Sequence, residues 1–547
     1  MDNDILFEHF TTLSTAPDGI ARLRELILQL AIQGKLGTQD AGDEPASVLL
    51  DMIKKQIGYS ENPKKHGKEL SEIEPDKIPF DLPNNWIWTQ IGSICTSPQY
   101  GWTTQGSIIG ETYLLRTTDI TSGCINWDTV PFCSEEPTDL DKYLISDGDV
   151  VVSRAGSVGM SHLITNPKKA VFASYLIRFK PMINREYFAL FLKSPFYWSV
   201  ISEESLGTGV PNVNATKLKN CYFPLPPLAE QHRIVAKVDR LMALCDGLEA
   251  RQQQERTSCL KLGTTSLAGL QNADSLEEFE RQWAQLCDAF DLIMDCPENM
   301  AVLRQTILQM AVQGQLVRQE PGDESASVVR KRSKQDEVLT PVRQSEISFS
   351  APSKWKWYHI ADICTNIVDC PHTTPIWTDD GYSCVRTSDV KPGKIDFNTS
   401  RFVSEDTYVE RINRLKPQPG DIIYTREGTL GSAATIPENT ELCLGQRLML
   451  MRPAKYVDSD FLTLVLNSPY VLKIVEKFTL GSTAKHINVG DVKKYPIPLP
   501  PLAEQHRIVA KVNALMELSD TLEAQLKERA KMQGRFAGAV VKRVATD

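Results

Sequence analysis

Residues Pro224–Val238 read PLPPLAEQHRIVAKV, and residues Pro498–Val512 read PLPPLAEQHRIVAKV again, 274 positions later. Chance does not repeat fifteen residues verbatim, so the chain carries an internal duplication, with a period far beyond that of solenoid repeats. A second pair of segments agrees. LRELILQLAIQGKL at Leu23–Leu36 is answered by LRQTILQMAVQGQL at Leu303–Leu316, and GDEPASV from Gly42 by GDESASV from Gly322. Between these anchors the likeness thins but keeps its order. Trp86-Ile-Trp88 answers Trp355-Lys-Trp357, Arg116-Thr-Thr-Asp119 answers Arg386-Thr-Ser-Asp389, and Gly148-Asp149 answers Gly420-Asp421. The predicted order is helix, module, helix, module, helix, with two modules that share a fold and differ in surface.

The flanking segments read as helices. Ile234, Val238, Leu241, Cys245 and Leu248 step by four and three, as do Ile508, Val512, Leu515, Ser519 and Leu522, the seam spacing of a coiled-coil-like face. Pro226-Pro227 and Pro500-Pro501 mark where each helix begins and each module ends. The modules alternate short strand-like runs, such as Asp149–Ser153 and Asp421–Thr425, with glycine and proline turns and short helical runs. The expected domains are a helical region at 1–79, a mixed α/β module at 80–225, a helical spacer at 226–345, a second module at 346–499 and a helical region at 500–547. If the spacers pack antiparallel, residues near 10–56 pair with 499–540, an internal pair spans 228–320, and an approximate two-fold axis relates the halves.

At 547 residues and 41% apolar composition the chain can fill several cores. Met1–Phe10 lacks the basic and apolar regions of a secretion signal, and no run reaches the ~18 apolar residues of a membrane span, so a cytoplasmic location with no membrane partner is expected. The 12 cysteines are scattered singly and read as reduced thiols. Cys364, Cys370 and His372 lack a fourth ligand and any CxxC pair, so no metal is expected. The net charge of −9 excludes a uniformly basic coat, and residues 345–501 hold 18 basic against 18 acidic residues, so any nucleic-acid contact must come from patches.

Catalytic signatures are missing: there is no GxxxxGK[ST] loop, no GxSxG elbow, no HExxH, and no Asn/Asp-Pro-Pro-aromatic motif of a DNA amino-methyltransferase. No catalytic residue and no cofactor is assigned to this chain. What the modules do carry suits a DNA surface. Arg154-Ala-Gly-Ser-Val-Gly159 and Arg426-Glu-Gly-Thr-Leu-Gly431 each follow a strand-like run. Glycine lets backbone N–H groups and the hydroxyls of Ser157 and Thr429 approach phosphate, while the arginine can pair with phosphate or read guanine. The competing reading makes each arginine a local ion-pair partner. Later in each module Thr208, Asn212, Asn214 and Lys217 are matched by Ser482, Lys485, His486 and Asn488, small polar and amide groups suited to bases and backbone. Helix capping competes for Asn214 and Asn488. Arg116 and Arg386 complete the candidate DNA contacts. The paired tryptophans Trp86, Trp88, Trp355 and Trp357 alternate as on a strand and are read as core. His232, Arg233, His506 and Arg507 recur beside the apolar seam and are the candidate partner-binding residues.

The duplicated PLPPLAEQHRIVAKV, the paired LRxxILQxAxQGxL segments and the diverged modules between them resemble the specificity subunit of a type I restriction-modification system, along essentially the whole chain. The resemblance implies an α+β protein in which two mixed α/β target recognition domains, each reading one half of a split double-stranded DNA site, are joined by long antiparallel coiled-coil-like spacer helices with internal pseudo-two-fold symmetry. It implies partners as well: two modification subunits that use S-adenosylmethionine to methylate adenine, and two restriction subunits that use ATP and Mg to translocate and cleave DNA. It transfers no individual recognition residue.

Overall fold

The structure is a computed structural model that describes residues 10–56, 78–96, 98–121, 123–205, 212–271, 273, 276–326, 341–479 and 486–546. The chain divides into two compact units, residues 1–253 with 529–547, and residues 254–528. Both hold the same parts: a short helix (Gly19–Ile32 or Asn299–Val312), a mixed α/β module, and part of the long helices Leu228–Gln271 and Leu502–Thr546.

Each module opens and closes on one antiparallel strand pair. Ile87–Gln90 pairs with Tyr222–Leu225, setting Trp88 opposite Pro224, and Lys356–His359 pairs with Pro496–Leu499, setting Trp357 opposite Pro498. Proline cannot donate to a ladder and is tolerated because these are two-stranded edges. The pairing delivers both ends of each module to the start of a long helix. Inside the first module a four-stranded antiparallel sheet runs in the order Gln99–Tyr100, Leu176–Phe179, Val150–Ser153, Ser161–Leu163. The second module repeats it as Cys364–Asp369, Leu448–Pro453, Ile422–Thr425, Ala433–Thr435. A second four-stranded sheet in each module includes one parallel pair, Tyr113–Leu115 with Ala170–Phe172 and Tyr382–Val385 with Leu442–Leu444. All four residues of Val150–Ser153 and of Ile422–Thr425 are buried, which is why these runs are continuously apolar instead of alternating.

The seam of each long helix is divided between two tasks. Ile234 and Val238 pack into the first module's core with Trp86, Tyr187 and Phe223. Further along, Cys245 joins Leu23, Leu26 and Leu30 of the short helix, together with Ala537, Val540 and Val544. In the second unit Ile508 and Val512 enter the module core, together with Ile307, Leu308 and Ala311. Arg24 bridges Asp246 and Glu249, each at 2.7 Å, as Arg304 bridges Asp520 and Glu523, each at 2.7 Å. The expected pairing of residues near 10–56 with 499–540 is seen only at the end of that helix, at Ala537, Val540 and Val544. Each LRxxILQ helix docks on the helix leaving its own module, because its arginine and leucines match that helix's acidic edge and apolar seam.

The repeated Glu-Gln-His-Arg is a clamp. Glu230, 1% exposed, accepts hydrogen bonds from the Trp86 indole (2.8 Å) and the Thr38 hydroxyl (2.9 Å). Glu504, fully buried, accepts from Trp355 (2.9 Å) and Gln319 (3.1 Å). Gln231 donates to the Pro226 carbonyl (2.9 Å) and accepts from the Asn184 N–H (2.9 Å); Gln505 donates to Pro500 (3.0 Å) and accepts from Asp458 (2.7 Å). Arg233 pairs with Asp43 and donates to the Thr38 carbonyl at 2.9 Å. Arg507 pairs with Asp323 at 2.7 and 3.1 Å. Both arginines, expected to face partner subunits, are paired with the GDE segment of their own unit and stay partly exposed. His232 and His506 are exposed, but His232 meets Asn184 at 3.1 Å and His506 meets Asp458 at 3.4 Å.

Two outcomes are expected. Removing a clamp carboxylate in Glu504→Ala strands the buried Trp355 indole and should lower unfolding free energy by about 2 to 4 kcal/mol, read from urea denaturation. The Arg507 guanidinium beside Asp323 holds its carboxyl below the usual carboxylate range. A depressed folded pKa contributes stability that is complete above the unfolded value of about 3.9 and is lost as pH falls below it. The stability gap between parent and Asp323→Asn should thus be constant from neutral pH down to about 5 and narrow below about 4.

Candidate nucleic-acid interface

In the first module the strand Val150–Ser153 ends in the loop that carries Arg154, and the Ser153 hydroxyl donates to the Ala155 carbonyl at 2.9 Å to tighten it. Gly159 closes the loop at φ 85°, where a Cβ would stand 2.8 Å from Ile201 and any side chain would be strained. The loop then meets the later candidate stretch, although some sixty residues separate them. Val213 N–H donates to the Arg154 carbonyl at 3.1 Å, and Ala155 bridges Asn212. Arg154 lies with its guanidinium carbon 5.0 Å from the centre of the Tyr100 ring. Among the described residues its buried Nε has no hydrogen-bond partner, nor has Asn212 Oδ1. The Tyr100 hydroxyl accepts from the Ala215 N–H at 2.9 Å, tying the edge strand to the same place. Ser157 is exposed and Lys217 half-buried. Asn214 caps the helix Ala215–Asn220 by accepting from the Lys217 N–H at 2.9 Å, so it fills the capping role. Thr208 lies outside the described residues.

The second module brings the matching stretches together, since Ile487 N–H donates to the Arg426 carbonyl at 3.2 Å. The arginine itself differs. Arg426 is 8% exposed, pairs with Asp369 and donates from Nε to the Ile487 carbonyl at 2.9 Å. Arg426, expected to read a base or to serve as a local ion-pair partner, is held as an ion-pair partner by a carboxylate on the edge strand, one strand removed from its own. Thr429 is exposed and donates to the Thr387 carbonyl at 2.8 Å. His486 and Asn488 are exposed and face each other at 2.9 Å. Asn488 stands at the N-cap position of Val489–Val492 without a capping bond from its side chain. Ser482 and Lys485 lie outside the described residues.

Arg116 and Arg386 form one device in both modules. Arg116 donates to Asp119 at 3.0 and 2.8 Å, and Arg386 to Asp389 at 3.2 and 2.9 Å, each in a two-pronged pair that closes a short 3₁₀ turn. Desolvation opposes ionisation of buried Asp389, yet its carboxyl stays below the usual range because Arg386, Thr399 and Ser388 all donate to it. Two donors of each arginine are held by its own turn, and the Arg116 side chain remains 43% exposed.

A family model described as the type I restriction modification DNA specificity domain matches residues 119–256 and 352–532. The chain belongs to this family. As a specificity-domain protein it is 28% identical to the type I restriction enzyme EcoAI specificity subunit of Escherichia coli, over 95% of this chain and 93% of that one. It is 27% identical to the EcoEI specificity subunit of Escherichia coli over the same shares, and 23% identical to the EcoKI specificity subunit of Escherichia coli strain K12, over 81% of this chain and 85% of that one. Among solved structures it is similar to the HsdS subunit from Thermoanaerobacter tengcongensis, with 19% identity, a TM-score of 0.42, and coverage of 85% of this chain and 98% of that one.

Tyr100 and Asp369 are the residues that sequence reading missed. Each acts on an arginine more than fifty positions away, across a strand pairing that nothing local announces. Arg447 was missed too: it holds φ 68° at the end of a loop beside Arg426, is exposed, and pairs with Glu427 at 2.9 Å. Breaking the Arg426–Asp369 pair in Arg426→Ala leaves the half-buried Asp369 carboxylate with only the exposed His372 ring, 3.2 Å away, and should cost about 2 kcal/mol. Arg154→Ala, which gives up a half-buried stacking contact and no hydrogen bond or ion pair among the described residues, should cost no more than about 1 kcal/mol. Urea midpoints of the two variants check the contrast.

Proposed function

We propose that this chain is the DNA-reading specificity subunit of a type I restriction-modification complex, and that each module reads one half of a bipartite, interrupted double-stranded site. The observation that carries this reading is the duplication: two modules with the same sheets, seated by the same clamp, whose corresponding loops present different chemistry. A pure adaptor would have no use for that divergence. Its part is positional and non-catalytic. It selects which adenine reaches the active site of a modification subunit, where flipping the base out costs a few kcal/mol of unstacking. S-adenosylmethionine belongs to the two modification subunits, and ATP and Mg to the two restriction subunits. The location is cytoplasmic; among the described residues no helix is long and apolar enough to cross a membrane.

The test is a methyl-transfer assay on duplex DNA with labelled S-adenosylmethionine. This chain alone is expected to transfer nothing, and the same chain with a modification subunit to methylate adenines in one interrupted sequence. Methylation by the chain alone, or by the complex at an uninterrupted site, would contradict the proposal.

A further inference from the structure

Register places Tyr100 and Asp369 at the same point of the two modules. Tyr100 pairs with Ile177, which pairs with Val152, two residues before Arg154. Asp369 pairs with Met449, which pairs with Tyr424, two residues before Arg426. The edge strand therefore meets the loop arginine in both modules, with an aromatic ring in one and a carboxylate in the other.

The two neighbours do opposite things to a guanidinium. A carboxylate takes the donor fork, as Asp369 does with Arg426, leaving it 8% exposed. A ring face attracts the cation through its quadrupole without using the N–H donors. Arg154 on Tyr100 has no hydrogen bond or ion pair from its side chain among the described residues, and its Nε is buried and unpartnered. Such a fork is oriented and unspent, the state needed to grip the O6 and N7 of guanine.

We propose that this strand position decides whether the loop arginine is presented to DNA or retained in the fold, making Tyr100 a positioning residue for base reading by Arg154. The corresponding arginine of the second module is switched off by Asp369. This rests on the DNA-reading function proposed above.

The test uses the full chain in complex with modification subunits, a pool of random-sequence duplex DNA, and sequencing of the retained duplexes. Arg154→Ala is expected to lose base preference at one position of one half-site by roughly 5- to 150-fold. Tyr100→Asp should lose it at the same position, and Tyr100→Phe, which keeps the ring, should retain it. The other half-site should be unchanged throughout, which also reports that the variants fold. Should Tyr100→Asp fail to fold, Tyr100→Leu removes the ring without adding charge, and the same loss is expected. Preference retained in folded Tyr100→Asp or Tyr100→Leu overturns the proposal, as does its loss in Tyr100→Phe or an Arg154→Ala variant with every preference intact. A parent complex that retains no common sequence overturns the DNA-reading function itself, and the proposal with it.

Discussion

A carboxylate buried in the first turn of each long helix holds the rest in place. Glu230 and Glu504 sit where the closing strand of a module becomes a helix, and each reaches back to the tryptophan that precedes the opening strand. Because a buried acceptor must be satisfied, this one contact forces the two ends of the module together and onto the helix. The glutamine beside it fixes the proline turn, and the arginine beyond it fixes the GDE segment. The seat is thus built by backbone and side-chain groups outside the module's variable loops.

That arrangement explains how the modules can differ while their frame does not. The buried sheets need apolar strands and little else, so loop chemistry is free to change on the far side. The edge-strand position at Tyr100 and Asp369 is an instance: a ring stands beside one loop arginine and a carboxylate beside the other, on the same strand order. A reader that must acquire new targets benefits from a frame in which such changes stay local.

Much of this was legible in the sequence for identifiable reasons. The duplication, the proline boundaries and the Trp-x-Trp pairs, whose first members Trp86 and Trp355 are buried, are written as contiguous residues, and local periodicity or spacing suffices to read them. The recurrence of His-Arg beside the seam was equally visible but was assigned to partners, because repetition marks constraint without saying whether the constraint lies inside the chain. Arg233 and Arg507 face Asp43 and Asp323 some 190 and 184 residues away in sequence, and no local pattern announces that pairing. The loop arginines divided in the same way. Ala155 and Glu427 beside them differ, but the residues that meet the two guanidinium groups stand on another strand. Asn214 proved to be a cap because its spacing from Lys217 is local, whereas the short turn after Asn488 gave its side chain no such bond.

The central claim is that each module reads one half of an interrupted site from an interchangeable seat. It is tested most directly by replacing residues 87–225 with residues 356–499, so that both clamps hold the second module, and sequencing the adenine methylation that this chain directs with its modification subunits. Methylation is expected to move to DNA carrying the second half-site in both arms. Methylation that stays at the original site, or a folded complex that methylates no sequence, would contradict it.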